Sequence, residues 1–355
     1  MTVVFPFVSP QRLARWRADR VFPAVARCAA CVARPAVIAP ALHSDHHDSL
    51  AAALASSIDF RVLRRLETRS RYDDPQGAPT HTALYVDVET TGLDHAKNRI
   101  IQLAVVPFTF TSDGRVCEVA PSESWYEDPG IPIDPAITRL TGIRDSDVVG
   151  QRIDDARVAA LLQGAALVIA HNARFDRPFL EGRLAGFMEK PWACSMADVP
   201  WLDEGLPTTK LEWLAERHCS VFYDAHRADI DCRVGVHLLA STLPSGRRAM
   251  DALLGAVRAK TVRVWALESV FATKELLKER GYRWNNGEDG SPKAWYRDLV
   301  EGALQDEVEW LQTHIYKKCD CPAVWQRIGA RTRYSNRVAA LPVHPANLSL
   351  PASRS

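Results

Sequence analysis

Three kinds of segment are missing from this 355-residue chain, and each absence excludes a class of protein. No run approaches the ~18 apolar residues that a membrane-spanning helix requires. The apolar stretch at residues 1–8 comes before the first arginines rather than after them, which is the wrong order for a secretory signal. The eight cysteines are spread thinly and lack the spacing of a secreted disulfide framework. We therefore expect a protein of the reducing cytoplasm with no membrane partner.

The chain also has little net charge: the formal value is +1, which argues neither for nor against a nucleic-acid partner. The distribution is less even, because residues 79–257 hold 17 basic and 25 acidic side chains, whereas residues 1–78 and 258–355 are mildly basic. An acidic centre suits a site for divalent cations, and basic flanks suit a phosphate backbone. Scattered surface charge would explain both excesses equally well.

The middle of the chain, residues 79–246, has the pattern of a mixed α/β domain. Three β-rich segments come first, with the turn Asp113-Gly114 between the last two, and helices alternate with strands after them. We predict the first three strands at residues 83–89, 100–108 and 116–125. Residues 1–78 are predicted to be an N-terminal extension, partly disordered or helical, with a helix over residues 51–66.

Cys28 and Cys31 form a Cys-x-x-Cys pair within this extension, and three histidines follow at positions 43, 46 and 47. A structural zinc site normally has two ligand pairs, and a second clean pair is missing here. The pattern therefore favours no metal, and zinc binding by Cys28 and Cys31 stays open.

Residues 258–337 are predicted to form a small α+β accessory domain, and residues 338–355 a tail. Paired strands are expected near Tyr282–Trp284 and Lys293–Tyr296, on either side of a glycine-rich loop. The unit has a basic edge made of Arg280, Arg283, Lys293 and Arg297. Basic and aromatic side chains together can hold single-stranded nucleic acid, so this edge is a candidate docking surface, although most of the tryptophans are better explained as core.

The strand before Thr90 carries two acids, Asp87 and Glu89, at a spacing of two residues. Side chains alternate along a strand, so both carboxylates point to the same face. Two carboxylates on one face repel each other unless a cation lies between them, and Mg²⁺ takes oxygen ligands of this kind. A solvated polar face is the plainer explanation, but it is weakened because the rest of the strand is apolar.

Two further segments carry acids in positions where a helix begins. Asp176 falls in the first turn of a helix that follows the apolar strand near residues 166–170, where a carboxylate also stabilises the helix dipole. His226 stands at the entry of a later helix, and Asp231 lies about one turn into it. Each of these signals alone has a capping or surface explanation.

Together, in this order and at these separations, the three segments resemble the motifs of the DnaQ-like exonuclease superfamily, which includes the proofreading epsilon subunit of bacterial DNA polymerase III. The matching stretches are Asp87-Val-Glu89-Thr-Thr-Gly, His-Asn-Ala-Arg-Phe-Asp176 and His226-Arg-Ala-Asp-Ile-Asp231. The histidine of the last stretch is typical of the DEDDh branch. The resemblance covers about residues 82–243, and no acidic position departs from the family pattern.

The resemblance implies a fold and a chemistry. The fold would be an α/β, ribonuclease H-like mixed sheet of five strands with flanking helices. Two Mg²⁺ or Mn²⁺ ions would be held by Asp87, Glu89, Asp176 and Asp231, with His226 as general base. The 3'-terminal nucleotide would be contacted by Thr90, Gly92, Leu93, Asn172 and Phe175. The reaction would be 3'→5' exonucleolytic release of nucleoside 5'-monophosphates, with single-stranded DNA favoured and a polymerase as a possible partner.

Two alternatives stay open at this point. The metal site does not distinguish DNA from RNA, so a ribonuclease or an oligonucleotide trimmer would have the same five residues. A non-catalytic accessory subunit of the replicative polymerase is a third interpretation, and the lack of a recognisable polymerase-binding tail argues against it.

Overall fold

The computed structural model describes residues 44–317 and 321–346. Two compact units divide the chain after residue 61. In the first unit, a helix, α1, spans Ser44–Ala55. Both Cys28 and Cys31, and the extension before residue 44, lie outside the described residues. The second unit holds all the other elements named below.

A six-stranded mixed sheet organises the second unit. Its strands are β2 (Thr80–Thr90), β3 (Ile100–Thr111), β4 (Val116–Val119), β5 (Glu123–Tyr126), β6 (Leu167–Ala170) and β7 (Trp192–Cys194). The order is β4-β3-β2-β6-β7, and β5 also pairs with β3. Strands β2 and β3 are antiparallel, whereas β2, β6 and β7 run parallel. The predicted mixed α/β sheet is therefore confirmed.

The number of strands differs from the prediction because the third segment is broken. Residues 116–125 were expected to form one strand, but the structure has β4 and β5 with residues 120–122 between them. Pro121 lies in this gap, and proline lacks the N–H that a sheet ladder needs. Each half pairs separately with a different part of β3.

Helices cover both faces of the sheet. They are α2 (Pro135–Thr141), α3 (Asp145–Val148), α4 (Asp155–Gly164), α5 (Ala173–Arg183), α6 (Leu211–Arg217), α7 (Ala228–Leu239) and α8 (Ala249–Arg258). Alternate residues of β2 enter different cores: Tyr85 packs on the side of α7 and α8, and Val86 packs on the side of α4 and α5. Because both faces of β2 are covered there, residues 83–86 are apolar and buried up to the acidic end of the strand.

Helix α7 lies unusually close to β2. A Cβ atom on Gly235 would come within 1.9 Å of the Tyr85 ring, and Tyr85 is 1 % exposed. Only glycine allows this approach. The close contact brings the first turn of α7, which contains Asp231, next to the end of β2, which contains Asp87.

A second, five-stranded sheet follows. It contains β9 (Thr261–Ala266), β10 (Arg283–Trp284), β11 (Trp295–Val300), β12 (Val324–Ile328) and β13 (His344–Pro345), in the order β10-β11-β9-β12-β13. Helices α9 (Lys274–Glu279) and α10 (Leu304–Trp310) accompany it. The predicted pairing of β10 with β11 is observed, but His344–Pro345 joins this sheet although the tail was expected to begin at residue 338.

One local prediction was wrong. The segment 51–66 was expected to be one helix, but α1 ends at Ala55, and Arg64–Arg65 form a short strand, β1, parallel to β8 (Val221–Phe222). Backbone pairing to a distant segment overrides the helical composition there. Helix α6 has Lys210 at its N-cap position, without a side-chain hydrogen bond.

Among residues 44–317 and 321–346, no helix has both the length and the apolar character needed to cross a membrane.

Candidate active site

Three carboxylates converge at the end of β2. Ligand oxygens of Asp87, Glu89 and Asp231 all lie within 4.8 Å of one another. Asp87 and Glu89 share a face of β2, as the two-residue spacing predicts, and Asp231 arrives from the first turn of α7. The register of β2 against β3 shifts between Glu89 and Thr90, which ends the regular ladder beside the acids.

Asp176 completes the acidic group from the opposite side of β2. It lies in the first turn of α5, is 2 % exposed, and accepts a hydrogen bond from the Val88 backbone N–H at 3.2 Å. Its negative charge acts on Asp87 and raises the pKa of that carboxyl. The structure thus brings together all four acids that the sequence motifs nominated; their roles stay predictions.

The electrostatics of this group are those of uncompensated negative charge. Burial, followed by the charges of Asp176, Asp231 and Glu89, raises the pKa of Asp87 well above its usual range. Burial and Asp231 raise the pKa of Glu89 to about 8. Because buried carboxylates prefer to be protonated unless a cation is near, this cluster is poised to exchange protons for a positively charged ligand.

The pKa shifts of the other two acids, Asp176 and Asp231, differ in size. Burial raises the pKa of Asp176 to about 8, although the Val88 N–H opposes the shift. Burial also raises the pKa of Asp231, to about 6, a smaller shift because His226 and the Arg227 N–H favour its charged form. Asp231 Oδ2 accepts that hydrogen bond from the Arg227 backbone at 3.0 Å.

His226 stands at the rim of the cluster. It is exposed, and its backbone has a φ of 64°, in the left-handed region. Among the described residues, no hydrogen bond engages its imidazole ring. An exposed, unengaged imidazole beside buried carboxylates has the geometry for exchanging a proton with a small molecule held at the cluster.

The proposed contacts to the terminal nucleotide fall into two groups. Thr90 Oγ1 donates to the Gly92 carbonyl at 2.7 Å, and the Asn98 side chain packs against Gly92, so that a Cβ there would meet Asn98 Oδ1 at 2.6 Å. A Cβ at position 92 would therefore force the Asn98 side chain to shift, an intramolecular reason for glycine that the sequence did not indicate. Leu93, in contrast, is 86 % exposed and available to a ligand.

Asn172 and Phe175 flank the start of α5. Asn172 has a φ of 78°, in the left-handed region, and its side chain does not cap α5. The turn between β6 and α5 therefore requires a residue that tolerates this backbone, as asparagine does. The Phe175 ring is half-buried and lies 5.1 Å from that of Phe179. Contact with a nucleotide by either residue remains a prediction.

Sequence reasoning missed Tyr223, which lies three residues before His226. Its hydroxyl is buried beside Asp231, and the charges of Asp231 and Asp87 act on it. Burial raises the pKa of Tyr223, so the hydroxyl keeps its proton. No sequence signal marked this residue, because nothing in the spacing shows that the loop turns the ring toward the acids.

A second missed feature is a buried hydrogen-bonded chain beneath the acids. Tyr85 Oη lies 2.6 Å from Ser195 Oγ, which lies 2.9 Å from His171 Nδ1, and His171 Nε2 lies 2.8 Å from the Thr209 carbonyl. Burial lowers the pKa of His171 to about 4, so this histidine is neutral. The chain ties β2, β6 and β7 together below the carboxylates.

The basic edge of the second sheet is only partly available. Arg280 and Arg297 both pair with the buried carboxylate of Glu307, at 3.2 and 2.5 Å. Arg283 and Lys293 are exposed. The predicted docking surface therefore has two free cations rather than four in the part of the chain that the structure describes.

Comparison with known proteins places this geometry in context. Residues 84–239 match the RNase_T family model, whose description is exonuclease. The epsilon subunit of DNA polymerase III from Treponema pallidum is 30% identical over 170 residues, which cover 44% of this chain and 74% of that protein. The PolC-type DNA polymerase III of Clostridium perfringens is 28% identical over 170 residues, which cover 46% of this chain but 11% of that protein.

The match to PolC-type relatives is therefore to a small part of much longer proteins. Among solved structures, the zinc-bound E. coli ExoI–ssDNA complex aligns with a TM-score of 0.40 and 16% identity, over 75% of this chain and 65% of that one. A likeness of that score decides nothing about function.

Proposed function

We propose that this chain, which belongs to the DnaQ-like exonuclease family, hydrolyses phosphodiester bonds one nucleotide at a time from the 3' end of nucleic acid. The observation that carries the proposal is the convergence of Asp87, Glu89 and Asp231, with Asp176 and His226 beside them. The exonuclease match covers these five residues, and the chain is a nuclease by that match.

The donor set fits divalent cations. Four carboxylates share one site, three of them with oxygens within 4.8 Å, and burial and mutual repulsion raise the pKa of Asp87. The neighbouring charges that act on Asp87 are all negative, so the folded chain gives this carboxylate no compensating charge. Hard cations with oxygen ligands, Mg²⁺ or Mn²⁺, suit it.

We propose that Asp87, Glu89, Asp176 and Asp231 hold these ions, two per site. When bound, the ions would supply positive charge to the scissile phosphate and make water easier to deprotonate. The carboxylates would orient the phosphate by fixing that charge at the end of β2, and the buried Asp176 would keep its geometry through the Val88 N–H.

His226 would accept the proton of the attacking water as the water oxygen forms its bond to phosphorus. The bond from phosphorus to the 3' oxygen of the preceding nucleotide then breaks, and that oxygen takes a proton to become the new 3' hydroxyl. The products are a nucleoside 5'-monophosphate and a chain shorter by one residue. The exposed ring of His226 suits this role because it can reach a water without rearrangement.

The substrate is proposed to be DNA, with single strands favoured. The support is that relatives of this chain are named as parts of DNA polymerase III. Leu93, which is exposed, would contact the terminal base together with Thr90 and Gly92. A polymerase partner is a further part of the proposal, supported by the same names.

The proposed domain boundaries give a catalytic region at residues 79–246 and an accessory region at residues 258–337. Exposed Arg283 and Lys293 at the basic edge would contact the strand away from the cut. Replacing both with Ala should raise KM with little change in kcat. An unchanged KM at low salt would remove the docking role.

A matched pair of carboxylates on α7 tests the site. Asp231→Asn should remove most activity, because an amide cannot supply the ionic ligand, whereas Asp229→Asn, two residues away and paired with Arg227, should keep it. His226→Ala and Asp87→Ala should each also remove activity. Retention of Mg²⁺-dependent cleavage by His226→Ala and Asp87→Ala would show that the site assignment is wrong.

The substrate is tested by digesting single-stranded DNA, double-stranded DNA and RNA, each labelled at the 3' or the 5' end, with Mg²⁺ or Mn²⁺. We expect immediate release of a labelled mononucleotide from 3'-labelled single-stranded DNA and a ladder from 5'-labelled strands. Faster cleavage of RNA than of DNA would favour the ribonuclease alternative. Mononucleotides released first from 5' ends would contradict the proposed polarity.

A further inference from the structure

Residues 64–66, which precede the exonuclease match at residues 84–239, pair with the strand that leads to His226. Arg64 and Arg65 of β1 lie in parallel register with Val221 and Phe222 of β8. The Arg64 N–H donates to the Ser220 carbonyl at 3.0 Å, and the Leu66 N–H donates to the Phe222 carbonyl at 2.9 Å. We call residues 64–66 the N-terminal clip.

Side chains strengthen the contact on the same two segments. Leu66 packs into a small apolar cluster that includes Val221 and Tyr223. The Arg65 guanidinium lies 4.9 Å from the centre of the Phe222 ring and 3.2 Å from Asp224 Oδ2. Both partners of this ion pair are well exposed, so it contributes little. The backbone bonds and the Leu66 side chain are therefore the main contacts of the clip.

The segment that follows β8, residues 223–227, contains His226 and is held by hydrogen bonds at both ends. At the far end, the Arg227 N–H donates to Asp231. At the near end, the clip holds Phe222 by its carbonyl. Between them His226 has a φ of 64°. A non-glycine residue keeps such a backbone only when its surroundings enforce it.

We infer that the N-terminal clip positions His226 for catalysis, so that a segment outside the exonuclease match sets the rate of the reaction. The inference rests on the proposed function, in which His226 is the general base. The clip touches neither substrate nor the acidic cluster. Its effect would pass through β8 and the 223–227 segment, and the acids on β2 and α5 would be unaffected.

The backbone bond can be removed with proline in the full-length chain. Leu66→Pro eliminates the N–H that reaches Phe222, and Glu67→Pro is the matched control, because the Glu67 side chain is exposed and its N–H has no partner among the described residues. We expect Leu66→Pro to lower kcat by about 10- to 100-fold, as for a displaced catalytic group, with KM within about twofold. Glu67→Pro should match the parent.

Two further variants separate the backbone bond from the side chain and from folding. Leu66→Ala keeps the N–H, so its kcat should fall less than that of Leu66→Pro. Arg64→Pro removes the other donor, from an exposed residue, and gives a second test if Leu66→Pro does not fold. A normal kcat for a folded Leu66→Pro or Arg64→Pro protein overturns the inference.

The decisive readout is a double-mutant cycle with His226→Ala. If the clip acts through His226, Leu66→Pro should lower kcat in the parent but change it by less than about twofold in the His226→Ala background. An equal loss in both backgrounds would show a general structural role and would overturn the inference. If His226→Ala alone leaves kcat unchanged, the proposed function fails instead, so the two failures are distinguishable.

Discussion

Two neighbouring residues on α5, Asp176 and Arg177, are both buried charges, yet their surroundings are opposite. Asp176 faces the other carboxylates, and its hydrogen bonds come from backbone N–H groups such as that of Val88. Arg177 faces the second sheet, where its guanidinium donates to Glu181 at 2.7 Å and to the carbonyls of residues 330, 331 and 333 at 2.6–3.2 Å. One charge is left uncompensated by the fold and the other is fully paired.

The pKa of Glu181, the acid that pairs with Arg177, expresses the same difference, while burial lowers the pKa of Arg177 itself to about 10. Burial raises the pKa of Glu181, but donors from Ser335, Arg337 and Arg177 outweigh it and hold the value below the usual range. Burial raises the pKa of Asp176 to about 8, because the only opposing contacts are backbone N–H groups. A buried charge with its partners makes a structure sensitive to the loss of either partner, whereas a buried charge without them is suited to a ligand.

The strongest test of this comparison is Asp176→Asn. The change keeps the shape of the side chain and removes the charge, so activity should fall by on the order of 10⁴-fold, about 5 kcal/mol of transition-state stabilisation. Stability to urea in the presence of EDTA should stay the same or increase. A clear loss of stability without metal would mean that Asp176 is a structural residue like its neighbour.

The converse change is Arg177→Met. It removes the guanidinium that donates to Glu181 and to three carbonyls, and breaking a buried pair in this way should lower the free energy of unfolding by about 4 kcal/mol. Urea unfolding measures this loss. The kcat of the folded fraction should be close to that of the parent, and a large loss of kcat with normal stability would contradict the assignment.

The contacts of Arg177 also limit the use of truncation to test the second sheet. Truncation before residue 258 would remove its carbonyl partners together with Ser335 and Arg337, which both bond to Glu181. A truncated chain would therefore lose stability as well as any docking surface. Point variants at Arg283 and Lys293 avoid this difficulty.

The close packing of α7 on β2, which brings Asp231 next to the other acids, can be disrupted by adding one methyl group. Gly235→Ala would press a Cβ into Tyr85, which cannot move because it is fully buried, and should cost about 3 kcal/mol of stability together with activity. Gly182→Ala on α5 is the control, since its Cβ would meet nothing within 4 Å. Equal melting temperatures for the two variants would refute the packing argument.

The smallest expected effect is on the pH dependence of stability without metal. The pKa of Glu89 is about 8 in the folded chain and near 4.5 unfolded, so the folded state holds a proton that the unfolded state has lost between these values. Stability should therefore fall as pH rises from 5 to 8, by about 2 kcal/mol more than in Glu89→Gln. Mg²⁺ should raise the melting temperature most at pH 8. Identical profiles of stability against pH for the parent and Glu89→Gln would contradict the prediction.

The sequence was sufficient for the features that depend on local periodicity. The alternation along β2 placed Asp87 and Glu89 on one face, and the apolar strand before residue 171 led to the helix that contains Asp176. The mixed α/β class followed from the order of strands and helices. The motif spacing identified the same four acids that the structure brings together. They meet because the parallel strands end at one edge of the sheet.

The features that were missed depend on contacts between distant segments. Nothing in residues 51–66 signals that Arg64 and Arg65 pair with a strand about 150 residues away, and a two-residue strand has no periodicity to detect. The orientation of Tyr223 toward the acids depends on the path of one loop. Likewise, Glu307 takes up Arg280 and Arg297, and spacing alone gives no indication of that pairing.

The left-handed backbone of His226 has a consequence for which residues this position can accept. Glycine would occupy a φ of 64° without strain, and histidine in this conformation costs roughly 1 kcal/mol. The residue best suited to the backbone is thus the one with no side chain for proton transfer. His226→Gly should be more stable and inactive, so the natural choice at this position sacrifices a small amount of stability to keep an imidazole.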